Sequence, residues 1–337
     1  MGWFSSNYTF EGKGLLSSVG IEYNVLNRKK SQDTITIDPR FTSIDKHFFS
    51  GAEMSHISLS PNLLTIGEYC FNMCSNLEKI ELPGNIQKIE CGTFNCCVNL
   101  KKISLPNGIT EIGDKSFLEC NSLEEVILPS SLKVIGESAF SGCRSLKSIV
   151  IPDSVKIIHK EAFSGCTNLS IVKMPSQLHH LSEGVFRGCC SLANIVVPEG
   201  IRLIGYRLFE NCINLRNVLL PSSLREIDYD CFIKCSQLNY LSIPKGFKGM
   251  VNSRHAYIAS LPKTVHIFCD SFIVSHIGRD YASSQFIVEA STKDQYYSLL
   301  DYLYKMKQDL SETKDRKLFT EVSHTHRSSC TWDLTSN

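Results

Sequence analysis

A phenylalanine returns every 23 residues along most of this 337-residue chain: Phe71, Phe94, Phe117, Phe140, Phe163, Phe186, Phe209 and Phe232. Three residues after each stands a cysteine, from Cys74 and Cys97 through Cys143 to Cys235, and a proline keeps the same period from Pro83 to Pro244. Self-similarity at a fixed spacing of about 20 to 50 residues marks a solenoid, in which each repeat contacts only its neighbours. The length therefore does not imply two or three domains, because a stack grows without thickening its core.

Within a repeat, apolar residues two apart define a short strand, as in Ile103 and Leu105 or Ile149 and Ile151. The proline ends that strand, and turn formers follow it, such as Asn107-Gly108 and Asp153-Ser154. A second extended piece carries apolar residues three apart, Leu132 and Ile135 for example, and a short helical or 3₁₀ turn is expected to carry the Phe and Cys. One repeat cannot bury Phe140, Cys143, Leu146, Ile149 and Ile151 alone, and stacking does it. Truncating a fully buried column Phe should cost about 3 to 5 kcal/mol.

The spacing divides the chain into an N-terminal cap (1–33), two degenerate repeats (34–62), regular repeats (63–247), a C-terminal cap (248–310) and a tail (311–337) expected to be disordered. The N-terminal cap has one strand-like run, Ile21 to Leu26. In the degenerate repeats Phe48 lies one period before Phe71, and Ser60 reads as an extra residue forming a small bulge. In the C-terminal cap, 261–269 and 286–289 read as strands and 292–310 as an amphipathic helix laid over the last layer. The fold class expected is a repeat solenoid of 23-residue units, with a parallel β-sheet on one face and both ends capped.

The columns AFxxCxxLxxIxLPxxLxxIG resemble the leucine-rich repeats of BspA-like proteins of the Treponema pallidum type, over about residues 35 to 244. The closing FIVEASTKDQYYSLL is similar to the strand-then-helix cap of such proteins. The resemblance implies a curved leucine-rich-repeat solenoid that binds partners through its surface and, for surface-exposed members, adhesion.

Thirty-five Lys and Arg against 34 Asp and Glu leave no basic field to attract nucleic acid. No apolar run is long enough to span a bilayer, and the N-terminus lacks the basic start and apolar core of a secretory signal. The 15 cysteines are odd in number and eight sit on the repeat lattice, which suits buried free thiols in a cytoplasm-like compartment better than a disulfide framework. A cytoplasmic monomer with a protein partner is expected, with a surface adhesin exported without a standard signal as the alternative.

Motifs for chemistry are weak. Gly12-Lys13-Gly14 begins like a phosphate loop, but Ser17 stands where the third glycine belongs. Cys96-Cys97 and Cys189-Cys190 each contain a lattice cysteine, and adjacent side chains diverge too far to chelate. His179-His180 lacks a histidine one period away, and His324, His326 and Cys330 lie in the tail without a fixed fourth ligand. No catalytic, cofactor or metal site is expected, and the chain reads as a non-enzymatic interaction scaffold.

The residues flanking each strand isoleucine are expected to point outward in two columns. Their N-terminal members are charged, whereas Ile127, Val150, Ile171, Val196 and Leu219 make an apolar band, joined by Lys173, Asn194, Asn217 and Tyr240. An exposed apolar patch of this extent marks a candidate partner-binding surface.

Overall fold

The computed structural model describes residues 7–11, 14–17, 33–176, 178, 180–228, 230–244, 249–250, 266–269 and 287–290. The chain divides into two compact units, Met1–Val288 and Glu289–Asn337, and the repeats lie in the first. The strand expected over 21–26, the helix expected over 292–310 and the tail lie outside the described residues.

The first unit is a stack of parallel strands on two faces. On the front face, Asn7–Phe10, Thr34–Ile37, His56–Ser58, Lys79–Ile80, Lys102–Ser104 and Glu125–Ile127 form one six-stranded sheet. Ser148–Val150 pairs with Ile171–Lys173 as a second, and Asn194–Val196, Asn217–Leu219, Tyr240–Ser242 and His266–Cys269 continue in a third. Ile287–Ala290 is the last described strand, so both strands expected in the C-terminal cap form, shortened or shifted by a few residues.

The second extended piece also builds sheets on the back face. Lys88–Ile89, Glu111–Ile112, Val134–Ile135 and Ile157–Ile158 pair in order, as do Leu203–Ile204, Glu226–Ile227 and Gly249–Met250. Register is one whole period across the regular repeats, for example Glu111 opposite both Lys88 and Val134.

Between the two faces lies a turn centred on the column phenylalanine. No helix forms there among the described residues, because the backbone is left-handed two residues before and two after each Phe. Around Phe117 these are Lys115 (φ 54°) and Glu119 (φ 56°), and around Phe163 they are Glu161 (φ 54°) and Gly165 (φ 70°). A left-handed residue ends a right-handed helix at once. In exchange, alternate N–H groups point at the next layer: Phe71 N donates to Thr93 O at 2.9 Å and Met73 N to Asn95 O at 2.7 Å. This turn ladder recurs from Phe49 to Phe209, past points where the front and back sheets are interrupted.

Inside the turn the phenylalanines stack in one file from Phe49 to Phe232, with rings nearly parallel and centroids 5.1 to 6.1 Å apart. Those distances match offset stacking. The first layer corrects the sequence reading, because Phe49, not Phe48, joins the file, 5.5 Å from Phe71. Phe10 meets Phe48 and Phe49 edge-on, at 5.5 and 5.6 Å, so the file ends on perpendicular rings. With one residue fewer in this layer, Ala52 and Met54 fill the places of Cys and Leu. Ser60 forms no bulge, since Ile57 and Ile80 pair in plain register; the buried hydroxyl instead fills the turn, 2.7 Å from Phe41 O.

Candidate partner-binding face

The lattice cysteines illustrate how little of the interior is left for chemistry. Each thiol donates to the carbonyl of the phenylalanine one layer back: Cys97 to Phe71 at 3.0 Å, Cys143 to Phe117 at 3.2 Å, Cys235 to Phe209 at 3.0 Å. The same carbonyl accepts the N–H that closes its own turn, as Phe71 O does from Cys74 at 3.2 Å. Burial pushes these thiols up, Cys166 and Cys235 to about 12. They stay protonated donors, the inert state of a buried cysteine.

The 13 cysteines from Cys70 to Cys235 are all free. In the adjacent pairs the side chains diverge as expected: Cys97 points into the core, whereas half-buried Cys96 lies 3.4 Å from Asn95 Oδ1. Among the described residues no cluster of His, Cys, Asp or Glu is arranged to hold a metal ion. His180 is exposed, while His179 and the tail histidines lie outside the described residues. No helix among the described residues is long and apolar enough to cross a membrane.

The front face is built by the period-2 alternation of the strands, which buries Ile103, Ile149, Ile195 and Val218 and turns their flanks outward. Two band residues stand well clear of the surface, Ile127 at 54% and Val196 at 53% exposure. Val150, Ile171, Lys173, Asn194 and Leu219 are half-buried, and Tyr240 lies in strand register with Asn217. The band crosses all three front sheets, since Ile127 ends the first, Val150 and Ile171 belong to the second, and Val196 opens the third.

Asn217 departs from expectation. Its side chain is buried, with Nδ2 donating to Asn194 Oδ1 at 2.6 Å one layer away. A carboxamide nitrogen can donate to the carboxamide oxygen of a neighbour in register, and this bond draws Asn217 into the sheet. Asn217 therefore orders the face without presenting a side chain to a partner.

The N-terminal half of the face differs in kind. Two shallow grooves lie there, of about 380 and 400 Å³, the first lined by Lys79, Glu81, Lys102, Ser104, Glu125 and Ile127. Their charges are already paired, Lys79 with Glu81 at 2.6 Å and Lys102 with Glu125 at 3.1 Å. Sequence reasoning placed these residues on the face but not the hollows between them, which depend on how far each side chain leans toward its ion partner.

Comparison with known proteins agrees with this architecture. The BspA type leucine rich repeat region matches residues 19–147 and 133–261, with six copies. A leucine-rich repeat protein from Bacteroides ovatus ATCC 8483 is 29% identical over 62% of this chain, with a TM-score of 0.56, and the match spans 53% of that protein, about half its length. The T. pallidum leucine rich repeat protein is 26% identical over 64% of this chain and 85% of its own, with a TM-score of 0.39. No curated protein matches the chain.

Proposed function

The chain belongs to the BspA-type leucine-rich repeat family, and on that premise we propose that it is a non-enzymatic, monomeric scaffold that holds a protein partner on the front face, along the band from Ile127 to Tyr240. The observation that carries this reading is the exposure of Ile127 and Val196, each more than half open to solvent beside partly exposed Val150, Ile171 and Leu219. The lattice residues are consumed by packing, so specificity rests on the residues beside them. Apolar side chains flanked by Lys173 and Asn194 form the mixed surface typical of non-obligate interfaces.

The test is affinity capture with the full chain from its native source, comparing wild type with Val150→Glu and Val196→Glu. Both positions face solvent at least in part, so the variants should remain folded by circular dichroism. Loss of a specific partner supports the assignment; capture unchanged by both substitutions refutes it.

A cell-surface adhesin is the second reading, and one observation favours it. The lattice thiols are buried and protonated, so an oxidising compartment would leave the core intact, and these eight cysteines fit either compartment. Protease treatment of intact cells separates the two: cleavage places the chain outside, and full protection places it within.

A further inference from the structure

On the back of the stack, seven residues before each column phenylalanine, the C-terminal layers carry cations: Lys133, Lys156, Arg202 and Arg225. The backbone keeps them in register, with Lys156 N donating to Lys133 O at 2.9 Å and Arg225 N to Arg202 O at 2.8 Å. The layer between the two pairs is held in place by the pairing of Leu181 with Ile204 and by the file Phe163, Phe186, Phe209. Its own residue in this column, position 179, is outside the described residues.

Like charges on adjacent strands repel and destabilise the pair. In other columns this chain sets opposite charges together, Lys88 with Glu111, Lys160 with Glu183 and Arg187 with Glu161, and where Lys79 and Lys102 do lie in register on the front face each has a carboxylate partner, Glu81 and Glu125. The four column cations make no ion pair among the described residues; Lys156 and Arg225 reach only backbone carbonyls. Immediately beside them runs a largely apolar column in the same layers, Val134 paired with Ile157, then the exposed His180, then Leu203. Ile157 is 45% exposed, and Glu226 closes this column at its C-terminal end.

We propose that this stripe is a second docking surface, for an acidic polypeptide segment with apolar side chains interspersed among its carboxylates. Charge complementarity supplies the first requirement and the neighbouring apolar column the second. Four layer steps of about 4.8 Å separate Lys133 from Arg225, so roughly six residues of extended chain at about 3.3 Å each span the stripe. A single-stranded nucleic acid would want a series of aromatic platforms for its bases, and among the described members of the two columns only His180 carries a ring. A bilayer would want apolar side chains projecting past the cations, whereas Val134 and Leu203 are half-buried.

The experiment uses the full chain and a fluorescein-labelled peptide of twelve alternating Glu and Val residues, followed by fluorescence anisotropy. A Gln/Val peptide, phosphatidylserine-containing vesicles and an oligothymidylate serve as comparisons. The Glu/Val peptide should bind with an affinity that falls as salt rises, and Lys156→Gln or Arg202→Gln should each weaken it roughly threefold to fivefold. Val196→Glu on the front face should leave it unchanged, which separates this surface from the one proposed above. Lys156→Glu should abolish binding yet raise the unfolding midpoint, because it gives Lys133 the opposite-charge neighbour found in the other columns. Peptide binding indifferent to both Gln variants, equal binding of the Gln/Val peptide, tighter binding of vesicles or oligonucleotide, or a lowered midpoint for Lys156→Glu would each overturn the proposal.

Discussion

Replacing Cys143 by alanine and by serine separates two roles for the thiol column. Cys143 is fully buried, and its thiol donates to Phe117 O at 3.2 Å. Alanine removes the sulfur and leaves a gap of about methylene size, costing about 1 kcal/mol. The lost donor adds about 0.5 kcal/mol, the low end for a hydrogen bond because a thiol is a weak donor. Phe117 O keeps the Cys120 N–H at 3.2 Å, so no orphaned carbonyl enlarges the loss. Serine also loses bulk but retains a donor aimed at the same carbonyl, so Cys143→Ser should cost no more than Cys143→Ala, about 1 to 1.5 kcal/mol. If the thiol acted only as a small hydrophobe, the buried hydroxyl would add about 1 to 3 kcal/mol of uncompensated desolvation and reverse the order. Urea unfolding followed by far-ultraviolet circular dichroism measures both, with equal m-values required for the comparison. A serine variant less stable than the alanine variant by 1 kcal/mol or more refutes the donor role.

The left-handed turn positions predict that Lys115→Gly, at φ 54°, raises stability by about 0.5 to 1 kcal/mol in thermal melting, as the steric cost of a Cβ outweighs the entropy glycine adds to the unfolded chain. Gly165→Ala, at φ 70° with no atom nearer than 3.6 Å to the new Cβ, should lower it by about 1 kcal/mol for purely conformational reasons, and a neutral result would contradict that backbone assignment. Unfolded thiols ionise near pH 8.5, about, whereas Cys166 and Cys235 hold their protons to about 12. Their contribution is therefore complete below pH ~8.5 and is lost as pH rises toward about 12, at up to ~1.4 kcal/mol per pH unit for each thiol. Urea midpoints across that range should fall more steeply for wild type than for a Cys166→Ala, Cys235→Ala double variant.

Much of the architecture could be read from the chain because one period of 23 residues places every structural role at a fixed offset. Ile149 and Ile151 alternate with Ser148 and Val150, and that alternation alone assigns a strand with one face in the core. The cation column at Lys133, Lys156, Arg202 and Arg225 was legible by the same means. It lies on the back of the repeat, just before the second extended piece and away from the front-face strand flanks.

Other features could not be read. Phe48 and Phe49 are adjacent and chemically identical, and the choice between them was made by the shorter layer and the edge of Phe10. Asn217 sits at an outward position, yet its amide finds Asn194 across the layer and is drawn inward. The purpose of Cys143 depends on a carbonyl 26 residues earlier, brought within reach only when the layers stack. The sequence by itself determined the repeat, the faces and the composition of the core, because these follow from side-chain polarity at regular spacing. The tertiary structure decided which residue of a pair is used, where hydrogen bonds go and which side chains remain exposed, because each depends on contacts between layers that no single repeat contains.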